Sequence, residues 1–374
     1  MTDLRRTGPD RRNSFDVVRL IAALSVVLAH QLNIAGYALP GYGQPSIGLG
    51  GPKLADAGLY VFFALSGYLV FQSLDADPRT GRFLSARALR IYPGVVVNVA
   101  MCTVVGAIVS TLPASAYWGA AETWRFLVHN ATILVSPTEF QLPGVLTESP
   151  WPSVNVPLWT LKYEILCYVV LLIVFKATGG SDRIRAVVLT VLTALAVGWF
   201  VYDRGHPPPA TGGLDTLGSF SGVHVVRFFA VFLSGATCGA WRLTTPRRRL
   251  SVTAVIGLAL ATTPTAESRF VVAVLAIGLG GLMIGSSRLL FSRAYHGFGD
   301  LSYGTYLYAF PIQMFTMTHW LNAENFWGLT ALDVLLALAC AALSWRFVER
   351  PALRWKQGRR HGPMPDTAPL AQPV

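Results

Sequence analysis

Residues 15–36 read FDVVRLIAALSVVLAHQLNIAG, an apolar run that is interrupted by one arginine and one histidine. About 20 apolar residues suffice for a helix to cross a bilayer, so the run predicts a membrane-spanning helix. Arg19 and His30 are eleven positions apart. That spacing places them about 16 Å apart along a helix and within about 20° of one stripe. Ionisable residues inside a spanning helix are costly, so we predict that this pair has a function.

The composition of the whole chain predicts a polytopic membrane protein. Only 13% of the 374 residues are charged, and 53% are hydrophobic, whereas a soluble domain carries about 25% charged residues. The net charge of +11 comes from basic clusters between apolar runs. Such clusters are typical of orientation signals, so we predict no nucleic-acid partner. The four cysteines lie in apolar runs without metal-ligand or disulfide spacing, and we predict no metal site.

Ten apolar runs follow one another along the chain. They cover residues 15–36, 57–74, 93–112, 158–176, 184–202, 219–240, 250–265, 269–287, 301–319 and 328–347. With the amino terminus inside, most of the 30 lysines and arginines fall on the inner side, as orientation signals do. The sequence therefore predicts an all-α polytopic protein of the inner (plasma) membrane, with about ten transmembrane helices and both termini cytoplasmic. Residues 1–14 are expected to form a basic cytoplasmic tail, residues 15–355 the membrane domain, and residues 356–374 a disordered cytoplasmic tail.

Two of the predicted outer segments differ from ordinary connections. Residues 37–56 are rich in glycine and proline, which favours turns. Residues 113–157 are long and contain tryptophans, and long loops in a compact protein usually have a function. Residues 124–135 within them form an amphipathic patch, which predicts an interfacial or re-entrant helix. We expect the longer segment to recognise a substrate.

His30 and Glu164 are candidates for acid–base chemistry. Counting helical rise from the predicted helix ends places both about 9 Å below the outer boundary. A carboxylate beside an imidazole fixes its tautomer and raises its basicity, so we predict that Glu164 orients His30. The alternative is a histidine that is merely satisfied by a neighbouring helix. Asp16, three residues before Arg19, is expected to pair with it, either as an anchor or to hold Arg19 for a phosphate or thioester group.

Other polar residues in the apolar runs are candidates for substrate binding. Arg87 and Arg90 are three residues apart on one helical face, which suits a grip on phosphates, although an orientation signal alone would explain them. Ser66 is either a small packing residue or a nucleophile. Arg227 is an intramembrane cation without an obvious structural reason. The remaining candidates are His224 and Asp333 as its companions, and Tyr303 and Tyr306, which either bind an acyl oxygen or pack.

Five stretches resemble, in order, the motifs of the membrane-bound acyltransferase-3 family. They are FDVVRLIAALSVVLAH at 15–30, FFALSGYL at 62–69, ARALRIYP at 86–93, WTLKYE at 159–164 and LSYGTYLYAFP at 301–311. The resemblance covers about residues 14–355. Ala309 stands where many relatives have a histidine, and Thr160 and Lys162 depart from the commonest form of the tryptophan motif.

The resemblance implies an integral membrane O-acyltransferase. Its donor would be cytoplasmic acyl-CoA, expected to be acetyl-CoA, with no bound cofactor, and its acceptor a hydroxyl of a cell-envelope glycan or a secreted small molecule. His30 would be the general base or would carry the acyl group, and the sequence leaves both routes open. Arg19 would steady the donor, and Arg87 and Arg90 would bind its phosphates. The alternatives are a transporter or flippase of a lipid-linked or small anionic substrate, and a scaffold or sensor.

Overall fold

The predicted apolar runs all fold as helices. The computed structural model describes residues 14–48, 51–134, 137–206, 216–217, 220–287 and 299–358. The helices in that part of the chain are α1 (Phe15–Ala38), α2 (Leu54–Ala76), α3 (Thr80–Val109), α4 (Ala114–Gly119), α5 (Ala121–Thr132), α6 (Leu161–Ala177), α7 (Asp182–Gly205), α8 (Gly222–Ala240), α9 (Pro246–Thr262), α10 (Ala266–Gly285), α11 (Ser302–Trp320), α12 (Phe326–Ser344) and α13 (Arg350–Gly358). Two short strands, β1 (Thr216–Leu217) and β2 (Phe220–Ser221), pair antiparallel before α8. The predicted tails lie outside the described residues, apart from Ser14 and the end of α13.

Within the described residues, eight helices are long and apolar enough to cross a membrane, which confirms the all-α polytopic class. One of them consists of α6 with the 3₁₀ turn before it, and another runs from α12 to Arg354. Of the other two predicted spans, α9 has 17 residues, none of them buried. The second is α11, whose buried polar side chains include Thr305, Gln313 and Thr316. Ten crossings and cytoplasmic termini stay predictions.

Helix α2 packs closely against α8 because glycines lie at their contact. A Cβ atom on Gly67 would lie 1.9 Å from the carbonyl oxygen of Phe232, and one on Gly235 would lie 2.0 Å from that of Ala64. Neither position has room for a side chain. Small residues at such contacts let membrane helices approach each other. The close approach fixes the neighbouring Ser66 in the middle of the bundle.

A buried polar network joins α1, α11 and α12. Gln31 Nε2 donates to Asp333 Oδ2 at 2.8 Å, and Thr316 Oγ1 donates to the same oxygen at 2.9 Å. Gln313 Nε2 donates to Gln31 Oε1 at 2.6 Å. The prediction that Asp333 accompanies Arg227 or His224 is therefore wrong, because its carboxylate faces α1 and α11 instead.

The long outer segment ends deep in the bundle. A helix is confirmed in this segment as α5, which packs against α3, and its interfacial or re-entrant placement stays a prediction. Further along, the buried Asn155 donates to Asn98 Oδ1 at 2.8 Å and to the carbonyl oxygen of Leu307 at 3.0 Å. A 3₁₀ turn, Val156–Thr160, then leads into α6. Because this connection is buried between α3 and α11, α6 begins far below the outer surface.

Candidate active site

A cavity of about 490 Å³ lies among α1, α2, α3, α6 and α11. Along α2 its wall extends from Leu59 to Leu69, which is about 15 Å of helix, or roughly half of a bilayer's hydrocarbon thickness. The wall includes the predicted site residues Arg19, Ser66, Arg87, Arg90, Glu164, Tyr303 and Tyr306. Of the other predicted residues, Asp16, His30 and Arg227 are not part of this wall.

Two of the three arginines in the wall share a carboxylate that the sequence prediction missed. Arg90 Nη2 lies 2.5 Å from Asp300 Oδ2, and Arg19 Nη1 lies 3.3 Å from the same oxygen. Arg90 Nη1 also donates to Glu349 Oε2 at 3.2 Å. The predicted pairing of Arg19 with Asp16 is wrong, because Arg19 reaches across to Asp300, two residues before the start of α11.

Asp300 is held in its charged form by this arrangement. Burial alone would raise the pKa of its carboxyl group, but Arg90 and Arg19, together with the backbone and hydroxyl donors of Ser302, hold it below the ordinary value. Ser302 begins α11, and its backbone nitrogen donates to Asp300 Oδ1 at 3.2 Å. One carboxylate thus accepts a hydrogen bond from the first residue of α11 and pairs with two cations.

Arg87 has a different environment from the other two arginines. Its guanidinium carbon lies 5.7 Å from the ring centre of Tyr168 and 5.8 Å from that of Phe83. Its Nε atom is buried without a hydrogen-bond partner, and no acidic residue in the described chain pairs with it. Planar guanidinium groups stack on aromatic rings and bind phosphate through the same fork. Arg87 is therefore the cavity arginine best placed to bind an anion.

Glu164 lies at the middle of the cavity with two hydroxyl donors. Ser66 Oγ donates to Glu164 Oε1 at 3.1 Å, and Tyr168 donates to the same oxygen through a short hydrogen bond. The two hydroxyl oxygens are 3.1 Å apart. The predicted contact between Glu164 and His30 is not made in this structure, where Glu164 bonds to Ser66 and Tyr168 and His30 packs on Phe310. Ser66 lies twelve residues beyond Leu54 in α2, so Glu164 is about 18 Å from the outer end of that helix.

His30 lies nearer the outside and away from this cavity. It is eight residues before the end of α1, or about 12 Å of helix. Its ring packs edge-on against Phe310 at a centroid distance of 5.0 Å. Phe310 also contacts Trp151, at 6.0 Å, and Trp151 lines a second cavity of about 160 Å³ together with Ile34 of α1. His30 is thus linked to the outer cavity through Phe310 and Trp151, whereas the sequence prediction placed it beside Glu164.

The two tyrosines of α11 form part of the cavity wall. Tyr303 donates to the carbonyl oxygen of Ile91 at 2.7 Å, and its ring lies 5.2 Å from the guanidinium carbon of Arg90. Tyr306 donates to the carbonyl oxygen of Pro157 at 2.7 Å. Both hydroxyl protons are therefore engaged by the backbone, so in this state neither is free to bind an acyl oxygen.

Arg227 lies between α2 and α8. Its Nη1 atom is 3.6 Å from Asp56 Oδ1, and its Nη2 atom is 3.0 Å from His224 Nδ1. Its guanidinium carbon lies 4.9 Å from the ring centre of Phe228. Asp56 and His224 are therefore the polar partners of Arg227, whereas the sequence prediction had also offered Asp333.

Sequence signals for the missed residues existed but were weak. Asp300 follows Gly299, which has a φ of +83°, and precedes Ser302, a pattern that favours a helix start. Glu349 is a buried carboxylate at the end of the last apolar run, in a π-helical turn, Trp345–Glu349. Tyr168 lies one helical turn after Glu164, where side chains meet.

Cations at one end of a membrane-embedded cavity and a carboxylate at its middle are the groups expected of an enzyme. Comparison with known proteins identifies its class: the profile of a family described as "Acyltransferase domain" matches residues 12–347. The chain belongs to this acyltransferase-3 family, and it is a multi-pass membrane acyltransferase that transfers groups other than amino-acyl groups.

Two relatives align with nearly the whole chain. One, named O-acetyl transferase, from Shigella phage Sf6, is 24% identical over 345 residues, which cover 91% of this chain and 96% of the relative. The other, named Nodulation protein 10, from Rhizobium leguminosarum bv. viciae, is 27% identical over 353 residues, 92% of this chain and 94% of the relative. No solved structure gives a significant match.

Proposed function

We propose that the protein transfers an acetyl group from cytoplasmic acyl-CoA to a hydroxyl of a cell-envelope glycan. The observation that supports this best is the cavity itself, which has arginines in its wall and a carboxylate at its middle. Coenzyme A is a cytoplasmic molecule with phosphate groups. Arginine binds phosphate with two parallel hydrogen bonds. The name of the phage relative, O-acetyl transferase, favours acetyl as the transferred group.

The arginines divide the donor-binding task in this proposal. Arg87, which has no acidic partner in the described chain, binds phosphate directly. Arg90 and Arg19 are held by Asp300 and line the route to the centre. Asp300 partly compensates their positive charge, so they contribute less to donor binding than Arg87 does.

The acceptor reaches the site from the outer side. Residues 113–157 carry the surface that we propose for acceptor recognition, and Trp151 within them lines the outer cavity. His30, proposed from the sequence as the general base or acyl carrier, contacts the same Phe310 ring as Trp151. His30 does not line the central cavity of this structure.

The test of the proposal is a transfer assay with the purified protein. In nanodiscs, with radiolabelled acetyl-CoA and envelope polysaccharide from a strain lacking the gene, the label is expected to appear in the polysaccharide as an alkali-labile ester. Mass spectrometry of envelope glycans from the deletion strain should show the loss of an acetyl ester. Movement of an intact substrate across vesicles without acyl-CoA, and no ester in either experiment, would instead establish a transporter.

A further inference from the structure

The two carboxylate oxygens of Glu164 differ in their hydrogen bonds. Oε1 accepts from both Ser66 and Tyr168. Oε2 accepts no hydrogen bond from the described residues, and it is not among the buried atoms without a partner. Because Glu164 lines the central cavity, the unbonded oxygen is accessible there. A carboxylate held through one oxygen and open at the other can accept a proton from a bound molecule.

We infer that Glu164 itself, rather than His30, takes the proton from the attacking acceptor hydroxyl, and that Ser66 and Tyr168 are its positioning residues. This inference rests on the proposed acyl transfer. A general base must lie within hydrogen-bond reach of the proton that it removes. Glu164 shares the cavity with the arginines that bind the donor, whereas His30 does not line it.

The reaction balances with this one carboxylate. The acceptor oxygen attacks the thioester carbonyl carbon while its proton moves to Glu164 Oε2. The new carbon–oxygen bond gives a tetrahedral intermediate, whose carbon–sulfur bond then breaks. The departing thiolate takes the proton back from Glu164, so that the products are the ester and coenzyme A as a thiol. The carboxylate is regenerated, and no further reactant is needed.

Ser66 offers a rival reading, because a serine beside a carboxylate also resembles a nucleophile with its base. Two observations favour a supporting role. Ser66 is 5% exposed, and its hydroxyl oxygen lies 3.1 Å from both Glu164 Oε1 and Tyr168 Oη. Its proton points to the carboxylate oxygen that already receives the tyrosine proton. Glu164 Oε2 is the oxygen of this set without a hydrogen bond from the described residues, so we place the proton transfer there.

The test compares isosteric variants in the transfer assay with acetyl-CoA and envelope polysaccharide from the deletion strain. Glu164→Gln is expected to lower kcat at least about 100-fold, the usual worth of a general base, with the KM for acetyl-CoA unchanged. Tyr168→Phe and Ser66→Ala are each expected to lower kcat about tenfold. In the Glu164→Gln background these two substitutions should have no further effect, because residues that act through one group are not additive. A merely structural role would give the same loss in both backgrounds.

Tyr163→Phe is the matched control. Tyr163 lies on the same helix, is buried and does not line the cavity, and the substitution removes the hydrogen bond that its hydroxyl oxygen accepts from the backbone nitrogen of Ser221. Its kcat should equal that of the wild type. Acetyl-CoA binding by each variant, measured directly, establishes that the protein is folded.

Two results would overturn the inference while leaving the proposed function intact. One is an active wild type whose Glu164→Gln variant keeps more than a tenth of kcat. The other is an acetyl ester on Ser66, found by mass spectrometry after incubation with acetyl-CoA alone. A His30→Gln variant that loses transfer, together with a Glu164→Gln variant that keeps it, would identify His30 as the general base. A wild type that neither binds acetyl-CoA nor transfers its acyl group would overturn the proposed function, and the inference with it.

Discussion

Arg87 differs from the neighbouring arginines in having only aromatic partners in the described chain. Arg87→Ala is therefore expected to raise the KM for acyl-CoA about 10- to 100-fold, since one lost charge-assisted contact is worth about 1.5–3 kcal/mol. The kcat should change little, because the phosphates are remote from the reacting carbonyl. Steady-state kinetics with varied acetyl-CoA measure both constants.

The control for this variant is Arg82→Ala. Arg82 lies on the same helix but is half exposed, and it pairs with Asp77 at 3.2 Å outside the cavity. Its KM for acyl-CoA should match that of the wild type. An equal rise in KM for both variants would show that general positive charge, rather than the Arg87 site, attracts the donor.

Asp300 makes the arrangement of Arg19 and Arg90 possible. Asp300→Asn leaves two poorly exposed cations short of a counter-charge, and breaking such a buried pair costs about 3–5 kcal/mol. The variant should unfold at a markedly lower temperature in detergent. Ser302→Ala, which removes only the hydroxyl donor to Asp300, is the milder comparison and should cost about 1 kcal/mol.

The stability that Asp300 contributes should depend on pH in a defined direction. Because its folded-state pKa lies below that of the unfolded chain, the contribution is complete above the unfolded value, about 3.9. It is lost as the pH falls through the folded-state pKa. The difference in melting temperature between the wild type and Asp300→Asn should therefore shrink below about pH 4. A difference that stays constant between pH 7 and pH 3 would contradict this.

The contact between α2 and α8 leaves no room for an added side chain at its glycines. A Cβ atom on Gly67 would lie 1.9 Å from a backbone oxygen of α8, so Gly67→Ala must push the helices apart. Overpacking of this kind costs about 1–3 kcal/mol or more. The thermal stability should fall, and kcat should fall as well, because the adjacent Ser66 moves away from Glu164.

Gly257→Ala on α9 provides the matched control for this helix contact. Nothing lies within 4 Å of the Cβ position at Gly257, and α9 has no buried residues. The added methyl group should leave stability unchanged or raise it slightly, since alanine is the better helix former. Equal destabilisation by both substitutions would mean that helix backbone effects, not the α2–α8 contact, explain the loss.

Hydropathy predicted where the helices lie but not how deep their residues sit. The runs at 15–36 and 57–74 correspond to α1 and α2, because about 20 apolar residues have no stable alternative to a helix in a bilayer. The depth of Glu164 was misjudged, because the chain before α6 descends into the bundle through the turn Val156–Thr160. Counting rise from an assumed boundary cannot detect a connection that is buried between two other helices.

At the scale of the whole molecule, the residues in the cavity wall were more predictable than their partners. Arginines and a carboxylate in apolar runs are visible as anomalies in the sequence. Their partners come from distant parts of the chain: Asp300 is 281 residues from Arg19, and Glu349 is 259 residues from Arg90. No local pattern encodes such contacts, so short-range pairing rules selected Asp16 instead. The packing of α1, α3 and α11 against one another determines which carboxylates pair with Arg19 and Arg90.

Ten crossings imply a definite side for each connection, and α9 is the element on which the count depends. With α9 spanning, Arg82 and Arg247 lie in the cytoplasm, and Glu122 and Ala266 lie outside. Single cysteines at Glu122 and Ala266 should react with a membrane-impermeant maleimide in intact cells, and those at Arg82 and Arg247 only after permeabilisation. Cys340→Ser is included because Cys340 is only half-buried, whereas Cys102, Cys167 and Cys238 are buried and should react slowly. If cysteines at Arg247 and Ala266 instead react from the same side, α9 lies along the membrane surface, and the chain crosses nine times with its termini on opposite sides.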